Sequence, residues 1–212
     1  MKNLLLVLCF LAGSYTNQAN GQLIKSFGAK VALTSADQRF DNAAFPDLVT
    51  KRRLGFNIGG FVEWLNIPYF SVITQMEYAQ RGAGVEFVVT SSQGPDPIGH
   101  ITLYSRLDYL SVPVLAKITF PAGVVSPYVI AGPRLDILLG YDSDQGTSNH
   151  LYDGFKKSVI GGSAGIGVET KSMLPVTLIL EARYNFDFAD SFDNQFLRVN
   201  NNAFDFWLGV GF

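Results

Sequence analysis

The feature that most constrains this chain is a strict alternation between apolar and polar positions along its segments. In the last segment, every second residue is apolar: Phe204, Phe206, Leu208, Val210 and Phe212. The positions between them, such as Asp205 and Gly209, are mostly small or polar. A period of two is typical of a β-strand whose faces meet different environments. The alternation therefore predicts strands rather than helices.

The alternation recurs in eight segments, which begin near residues 27, 54, 70, 103, 127, 159, 176 and 203. Short turns are expected at 65–69, 121–126 and 171–175, and long polar loops at 35–51, 83–101, 142–157 and 189–202. Alternating short and long links are typical of a membrane barrel. The predicted fold is therefore all-β: an eight-stranded antiparallel up-and-down transmembrane β-barrel with short periplasmic turns and long extracellular loops.

Two central segments are less regular, since each contains a proline, Pro113 or Pro133. Proline has no backbone N–H, so it removes one donor from the hydrogen-bond ladder. We therefore interpret both prolines as bulges or points where the register shifts.

The first residues are typical of an export signal. Lys2 gives a positive start, Leu4 to Ala12 are mainly apolar, and Ala19-Asn20-Gly21 forms a small-x-small cleavage site. We predict a signal peptide at 1–21 and a barrel domain at 22–212. Cys9 would leave with the signal, which excludes disulfides and cysteine-held metals from the mature chain.

Alternation alone leaves the direction of the apolar face open, because a soluble lipocalin-like barrel also alternates. Aromatic residues concentrate near the strand ends, at Trp64, Tyr69, Phe70, Phe120, Tyr128, Tyr141, Phe186 and Phe188, and this favours lipid outside. The polar face would then place charges of both signs in the lumen: Lys30, Glu63, Glu77, Arg81, Arg134, Asp136, Glu181, Arg183 and Asp205. Eight strands leave only enough room for side chains, so we predict a salt-bridged plug.

The candidates for chemistry are few. His100 and His150 fall in predicted loops without a recognisable nucleophile motif, so no catalytic residue is predicted. Asp142, Asp144 and Asp153 match no calcium-loop spacing, so we expect neither a metal nor a cofactor. The net charge of -2 makes nucleic acid an unlikely partner class.

Several short motifs carry a family resemblance: Gly59-Gly60-Phe61, Glu77-Tyr78-Ala79-Gln80-Arg81-Gly82, Tyr109 to Lys117, Pro127-Tyr128, Ala131-Gly132-Pro133, Gly165-Ile166-Gly167, Glu181-Ala182-Arg183-Tyr184 and Leu208 to Phe212. Together they cover almost the whole mature chain, which resembles the PorT-like outer-membrane β-barrel family (porin family) of Bacteroidota. The resemblance implies a barrel in the cell outer membrane, and most family members have no established activity.

These observations predict a non-enzymatic structural or interaction scaffold with a plugged polar lumen and exposed loops. The alternative is a narrow porin-like channel or carrier for small solutes; a lipid-modifying enzyme is a third class. Expected partners are outer-membrane lipid and lipopolysaccharide, the barrel assembly machinery, which would read the apolar C-terminal face as an insertion signal, and an unidentified ligand or protein at the loops. Loop aromatics Phe40, Phe45, Phe155 and Phe192 could contact a partner or pack among themselves. Both termini are expected in the periplasm.

Overall fold

The computed structural model describes residues 23–42, 50–90, 97–143, 155–170, 176–193 and 197–212. They form ten strands: β1 (Ile24–Asn42), β2 (Thr50–Ile67), β3 (Phe70–Arg81), β4 (Ala83–Thr90), β5 (Pro97–Thr119), β6 (Val125–Ser143), β7 (Ser158–Thr170), β8 (Thr177–Asp187), β9 (Phe192–Asp193) and β10 (Leu197–Gly211). Within these ranges no helix is long and apolar enough to cross a membrane.

Eight of these strands close into a ring. Neighbours along the chain pair in the order β1, β2, β3, β5, β6, β7, β8 and β10, and β10 returns to pair with β1. Each of these pairings is antiparallel. The predicted eight-stranded up-and-down barrel is therefore confirmed.

The apolar face of each strand points outward and the polar face points inward. In β10, Asp205 and Trp207 are 1% and 0% exposed, whereas Phe206 and Leu208 are each 61% exposed. A soluble barrel would show the reverse, with large apolar side chains inside and charges on the outer wall. The lipocalin-like alternative is therefore wrong for this chain.

Strands β3 and β4 form one bent strand with its joint at Gly82. Gly82 has a φ of +119°, a region that L side chains rarely adopt. A Cβ at this position would lie 2.1 Å from the carbonyl oxygen of Ser105 on β5. Beyond the joint, β4 pairs with the end of β2 and with the start of β5, which extends the wall past the β3 segment.

Gly82→Ala should therefore lower the free energy of unfolding by about 1–3 kcal/mol, because a side chain at positive φ is strained. Urea unfolding in detergent, followed by the electrophoretic shift between folded and unfolded barrel, measures the change. Gly99→Ala on β5 is the control, since a Cβ there has no heavy atom within 4 Å. Equal stability of the two variants would contradict the assignment of Gly82 as the joint.

The strands are longer than the alternation indicated. Within the described residues, the predicted loops at 35–51, 83–101 and 189–202 are instead largely strand. Strand β1 continues to Asn42, β4 and β5 occupy the described part of the second range, and β10 begins at Leu197. Past the apolar band both faces of a strand are polar, as in the run Asn200–Asn202, so alternation no longer marks it. The predicted loop at 142–157 falls between the end of β6 at Ser143 and the start of β7 at Ser158, but residues 144–154 lie outside the described residues. The predicted turn at 171–175 also lies outside them.

The interpretation of the two prolines as register points is wrong. Pro113 pairs with Arg134, and Pro133 pairs with Gly162, in registers that continue unchanged on both sides. The shift between β5 and β6 lies instead between Asp108 and Tyr109. Each proline removes a donor, and the ladder is interrupted beside it. Between β5 and β6 the pairing stops after Pro113 and resumes at Ala116 in the same register.

Candidate functional site: the barrel interior

Arg183 on β8 is the centre of the interior. Its Nη1 donates to Glu77 Oε1 at 2.7 Å, its Nη2 to Gln75 Oε1 at 2.8 Å, and its Nε to Glu181 Oε1 at 3.0 Å. The guanidinium also lies over the ring of Trp207, 5.1 Å from its centroid. Arg183 therefore ties β8 to β3 across the lumen, at a residue that is 1% exposed.

Glu181, two residues earlier on the same face, joins a second cation to this centre. Its Oε2 accepts from Lys30 Nζ at 3.0 Å and from the Tyr128 hydroxyl at 2.8 Å. Tyr128 therefore points into the lumen, and its expected place among the outer aromatics is wrong. Lys30 also lies 5.0 Å from the centroid of the Phe61 ring.

Asp205 on β10 anchors the next level of the interior. Its two oxygens accept from Thr34 at 2.5 Å and from Asn185 at 2.6 Å. Arg81 Nη1 lies 3.6 Å from the same carboxylate. Residues of three strands besides β10 thus contact one buried acid, and the charge of Arg81 compensates that of Asp205.

Arg134 on β6 forms the third charged group of the interior. Its Nη2 donates to Asp187 Oδ1 at 2.7 Å, and its Nε lies 2.9 Å from Asp136 Oδ2. The other oxygen of Asp187 accepts from Ser191 at 2.8 Å and from the Asn201 side chain at 3.0 Å. Asp187 is a member of this group that the sequence prediction omitted, although it shares the polar face of Glu181 and Arg183.

Glu63 forms a separate charged group toward the end that carries the short turns. It accepts from Lys25 at 2.7 Å, Ser71 at 2.6 Å and Lys117 at 3.2 Å. Lys117, which also reaches Glu169 at 2.5 Å, is 2% exposed and was not among the predicted lumen charges. Lys117 lies two residues after buried Leu115 on β5, and therefore on the same face of the strand; this spacing could have identified it.

The predicted lumen residues thus share one environment. All nine are at most 4% exposed: Lys30, Glu63, Glu77, Arg81, Arg134, Asp136, Glu181, Arg183 and Asp205. Ion pairs join them in several groups rather than in one network. Glu63 pairs with Lys25 and Lys117, whereas Glu77 and Glu181 pair with Arg183. A crevice with no room for a water molecule lies against Lys30, Gln75, Glu77 and Trp207.

Apolar clusters lie on the interior face as well. One contains Phe61, Ile73, Leu115, Tyr128, Ile130 and Ile179. The other contains Leu107, Tyr109, Phe155 and Val199, with Phe40, Leu138, Tyr141 and Phe192 packed against it. The rings of Phe155 and Phe192 lie 5.5 Å apart. Three of the four loop aromatics therefore pack among themselves, and Phe45 lies outside the described residues.

The candidates for chemistry lie away from this interior. His100 on β5 has its Nδ1 3.4 Å from Glu86, which also pairs with Lys51 at 2.9 Å. The Asp142 carboxylate lies 3.7 Å from Arg106. His150, Asp144 and Asp153 lie outside the described residues. No group of three potential metal ligands among His, Cys, Asp and Glu occurs in the described part of the chain.

Comparison with known protein families matches residues 10–193 to the family described as the outer membrane protein β-barrel domain. The chain belongs to this family. The match extends over most of the barrel, so the outer-membrane barrel class is established by sequence as well as by architecture. A comparison with curated proteins found no match.

A solved structure, that of OprG, shows the same fold at low sequence identity. OprG from Pseudomonas aeruginosa is 10% identical, with a TM-score of 0.55, and the alignment covers 92% of this chain and 98% of that one. Neisserial surface protein A is 18% identical, with coverage of 87% and 95% and a TM-score of 0.49. The outer membrane protease OmpT from Escherichia coli is 8% identical, with coverage of 92% and 99% and a TM-score of 0.41. At 10% identity, the likeness to OprG concerns the fold alone.

Proposed function

We propose that this outer-membrane barrel is a closed scaffold, with a lumen sealed by its own side chains and an interaction surface at its loop end. The observation that carries the proposal is the cross-lumen contact of Arg183 with Glu77 and Gln75, which occupies the middle of the barrel. A path for solutes would need these groups to separate. Breaking one partner out of a buried ion pair costs about 3–5 kcal/mol, so the closed arrangement is strongly favoured.

The width of the barrel supports the same proposal. Eight strands enclose an interior that side chains alone can fill. The crevice beside Lys30 and Trp207 has no room for a water molecule, whereas sites that hold a small-molecule ligand have volumes of roughly 300–1,000 Å³. The two apolar clusters add further side chains to the interior face, including Tyr109 and Leu115 at 1% and 0% exposure.

The proposed placement in the membrane follows from the connections. Short links join β2 to β3 and β5 to β6 at the end where the described chain begins and finishes, and short links are periplasmic in outer-membrane barrels. We propose periplasmic termini, release of a signal peptide at 1–21, and insertion through the apolar face from Phe204 to Phe212. Membership of the PorT-like branch in Bacteroidota rests on the motifs given above.

We propose further that the barrel is not an enzyme. A general base must lie within hydrogen-bond reach of a group that it activates. The described histidine, His100, lies 3.4 Å from Glu86, which also pairs with Lys51, so the three side chains form a partly exposed charged cluster. The lumen acids are engaged by cations, as with Glu77 and Arg183, so they serve as structural partners.

A swelling assay tests the closed scaffold. Vesicles that contain the refolded protein are diluted into isotonic solutions of small sugars or amino acids, and light scattering follows solute entry. We expect entry at the rate of protein-free vesicles, with a known general porin as the positive control and the gel shift as proof of folding. Entry well above that background would instead support a narrow pore.

A further inference from the structure

The side chain of Arg52 lies against the outer wall of the barrel and is fixed there by hydrogen bonds. Arg52 on β2 is exposed, and its Nε donates to Ser35 Oγ at 2.9 Å while its Nη2 donates to the Ser35 carbonyl oxygen at 2.7 Å. Its guanidinium carbon lies 5.3 Å from the centroid of the Phe204 ring on β10. Among the described residues, the hydrogen bonds of this guanidinium come from Nε and Nη2.

Arg52 lies where the apolar band gives way to polar residues. Next to it on the same wall, Leu33, Leu54 and Phe206 are 72%, 79% and 61% exposed. On the far side, β1 and β10 place the exposed cations Arg39 and Arg198 on the outer face. Strand β1 also carries two acids here: Asp37, which accepts from the Gln38 backbone N–H at 2.9 Å, and Asp41, which pairs in register with Arg198. Basic and acidic residues therefore both occur at this boundary.

The position of Phe204 agrees with the edge of a membrane band. From Phe212 to Phe204 the strand advances 212 − 204 = 8 residues, which is roughly 26 Å along the strand. A tilt of about 40° reduces this to roughly 20 Å of height, and the apolar band of outer-membrane barrels is about 25 Å tall. Arg52, stacked on Phe204, thus lies near the loop-end interface.

Aromatic rings continue this surface beside Arg52. The Phe204 ring lies 4.6 Å from Tyr184 on β8, and Tyr184 stacks on Phe186 at 5.9 Å. Phe188 meets Phe186 edge-on at 5.3 Å. The surface thus combines an exposed cation with a shelf of rings, which suits a molecule that carries a negative group above apolar chains.

We propose that Arg52, Ser35, Phe204 and Tyr184 form a binding site for the phosphate-bearing headgroup of a lipid in the leaflet around the loop end. The site rests on the membrane orientation proposed above. An arginine in the interface keeps its charge, and a phosphate oxygen gives the guanidinium a charge-assisted partner close to the apolar surface. The lipid chains would lie along Leu54 and Phe206.

Arg106 on the other side of the barrel supplies the matched comparison. Its Nε lies 3.2 Å from Asp108 and its Nη2 lies 3.7 Å from Asp142. Acidic groups therefore compensate the charge of Arg106, whereas Arg52 contacts the neutral Ser35 and Phe204 among the described residues. We expect a phosphorylated lipid to distinguish the two arginines.

The test measures binding of phosphorylated lipid A to the folded protein in neutral detergent, by native mass spectrometry and by the heat midpoint of the gel shift. Arg52→Gln should bind about tenfold more weakly than the wild type, the loss expected for one hydrogen bond to a charged group. Arg106→Gln should bind as the wild type does. Arg52→Lys, which keeps the charge, should lie between them and guards against misfolding of the glutamine variant.

Two further arms identify the ligand. Lipid A without its phosphates should bind to the wild type as weakly as phosphorylated lipid A binds to Arg52→Gln. Inorganic phosphate should neither raise the heat midpoint nor displace the lipid. Equal binding by Arg52→Gln and wild type, no preference for phosphorylated lipid, or displacement by inorganic phosphate would each overturn the proposal. In swelling assays, vesicles with Arg52→Gln should behave as vesicles with the wild type do. The closed-scaffold proposal is therefore tested separately from lipid binding.

Discussion

Arg183→Ala should lower the free energy of unfolding by about 3–5 kcal/mol, the cost of leaving buried charges without their partner. The alanine variant would strand Glu77 and Glu181, which are each 2% exposed, and would remove the donor to Gln75. Urea unfolding in detergent, read by the gel shift, measures the loss. The predicted effect is large because one guanidinium joins two strands that are far apart in sequence.

Arg106→Ala is the control for this prediction. The Arg106 side chain is 39% exposed and contacts Asp108 at 3.2 Å on the outer wall. Exposed ion pairs contribute only about 0–1 kcal/mol. A loss in Arg183→Ala no greater than that in Arg106→Ala would show that the interior contacts do not hold the barrel closed.

Trp207→Ala should produce the second large effect, again about 3–5 kcal/mol of destabilisation. Trp207 is fully buried on β10, packs under Arg183 and borders the crevice beside Lys30 and Glu77. Truncation would enlarge that crevice and remove the ring on which the guanidinium lies. Since water can enter an enlarged polar space, the interior should also become more hydrated.

Trp207→Phe tests whether the lost ring and the lost volume cause this effect, because it retains most of both. Phenylalanine keeps a ring under Arg183 and much of the volume, so we expect a markedly smaller loss of stability. Hydrogen exchange of the β10 amides, followed by mass spectrometry, should show faster exchange in Trp207→Ala than in Trp207→Phe. Equal stability and exchange in the two variants would contradict a packing role for the indole.

The strands of the ring could be predicted because each faces two environments. Along β8, Leu178 and Leu180 meet the outside while Glu181 and Arg183 meet the lumen, and this contrast is written in the residue types. Beyond the apolar band the contrast disappears, which is why the extents of β1, β5 and β10 could not be predicted.

The contacts among the interior residues could not be predicted either, and the reason is different. The alternation of side chains along a strand gives the face on which a residue lies, and this rule placed both Glu77 and Arg183 inward. Their contact joins residues 106 positions apart and depends on the registers of several strand pairs, which one sequence does not encode in any local pattern. Lys117 was missed because its segment contains Pro113 and is less regular than the others.

Electrical recording from the wild-type protein in planar lipid bilayers tests the closed lumen most directly. The refolded protein, shown to be folded by its gel shift, should add no discrete conductance steps, because Arg183 and its partners fill the centre of the barrel. Stable, repeated openings from the folded protein would contradict this account and would show that the interior ion pairs separate to form a pore.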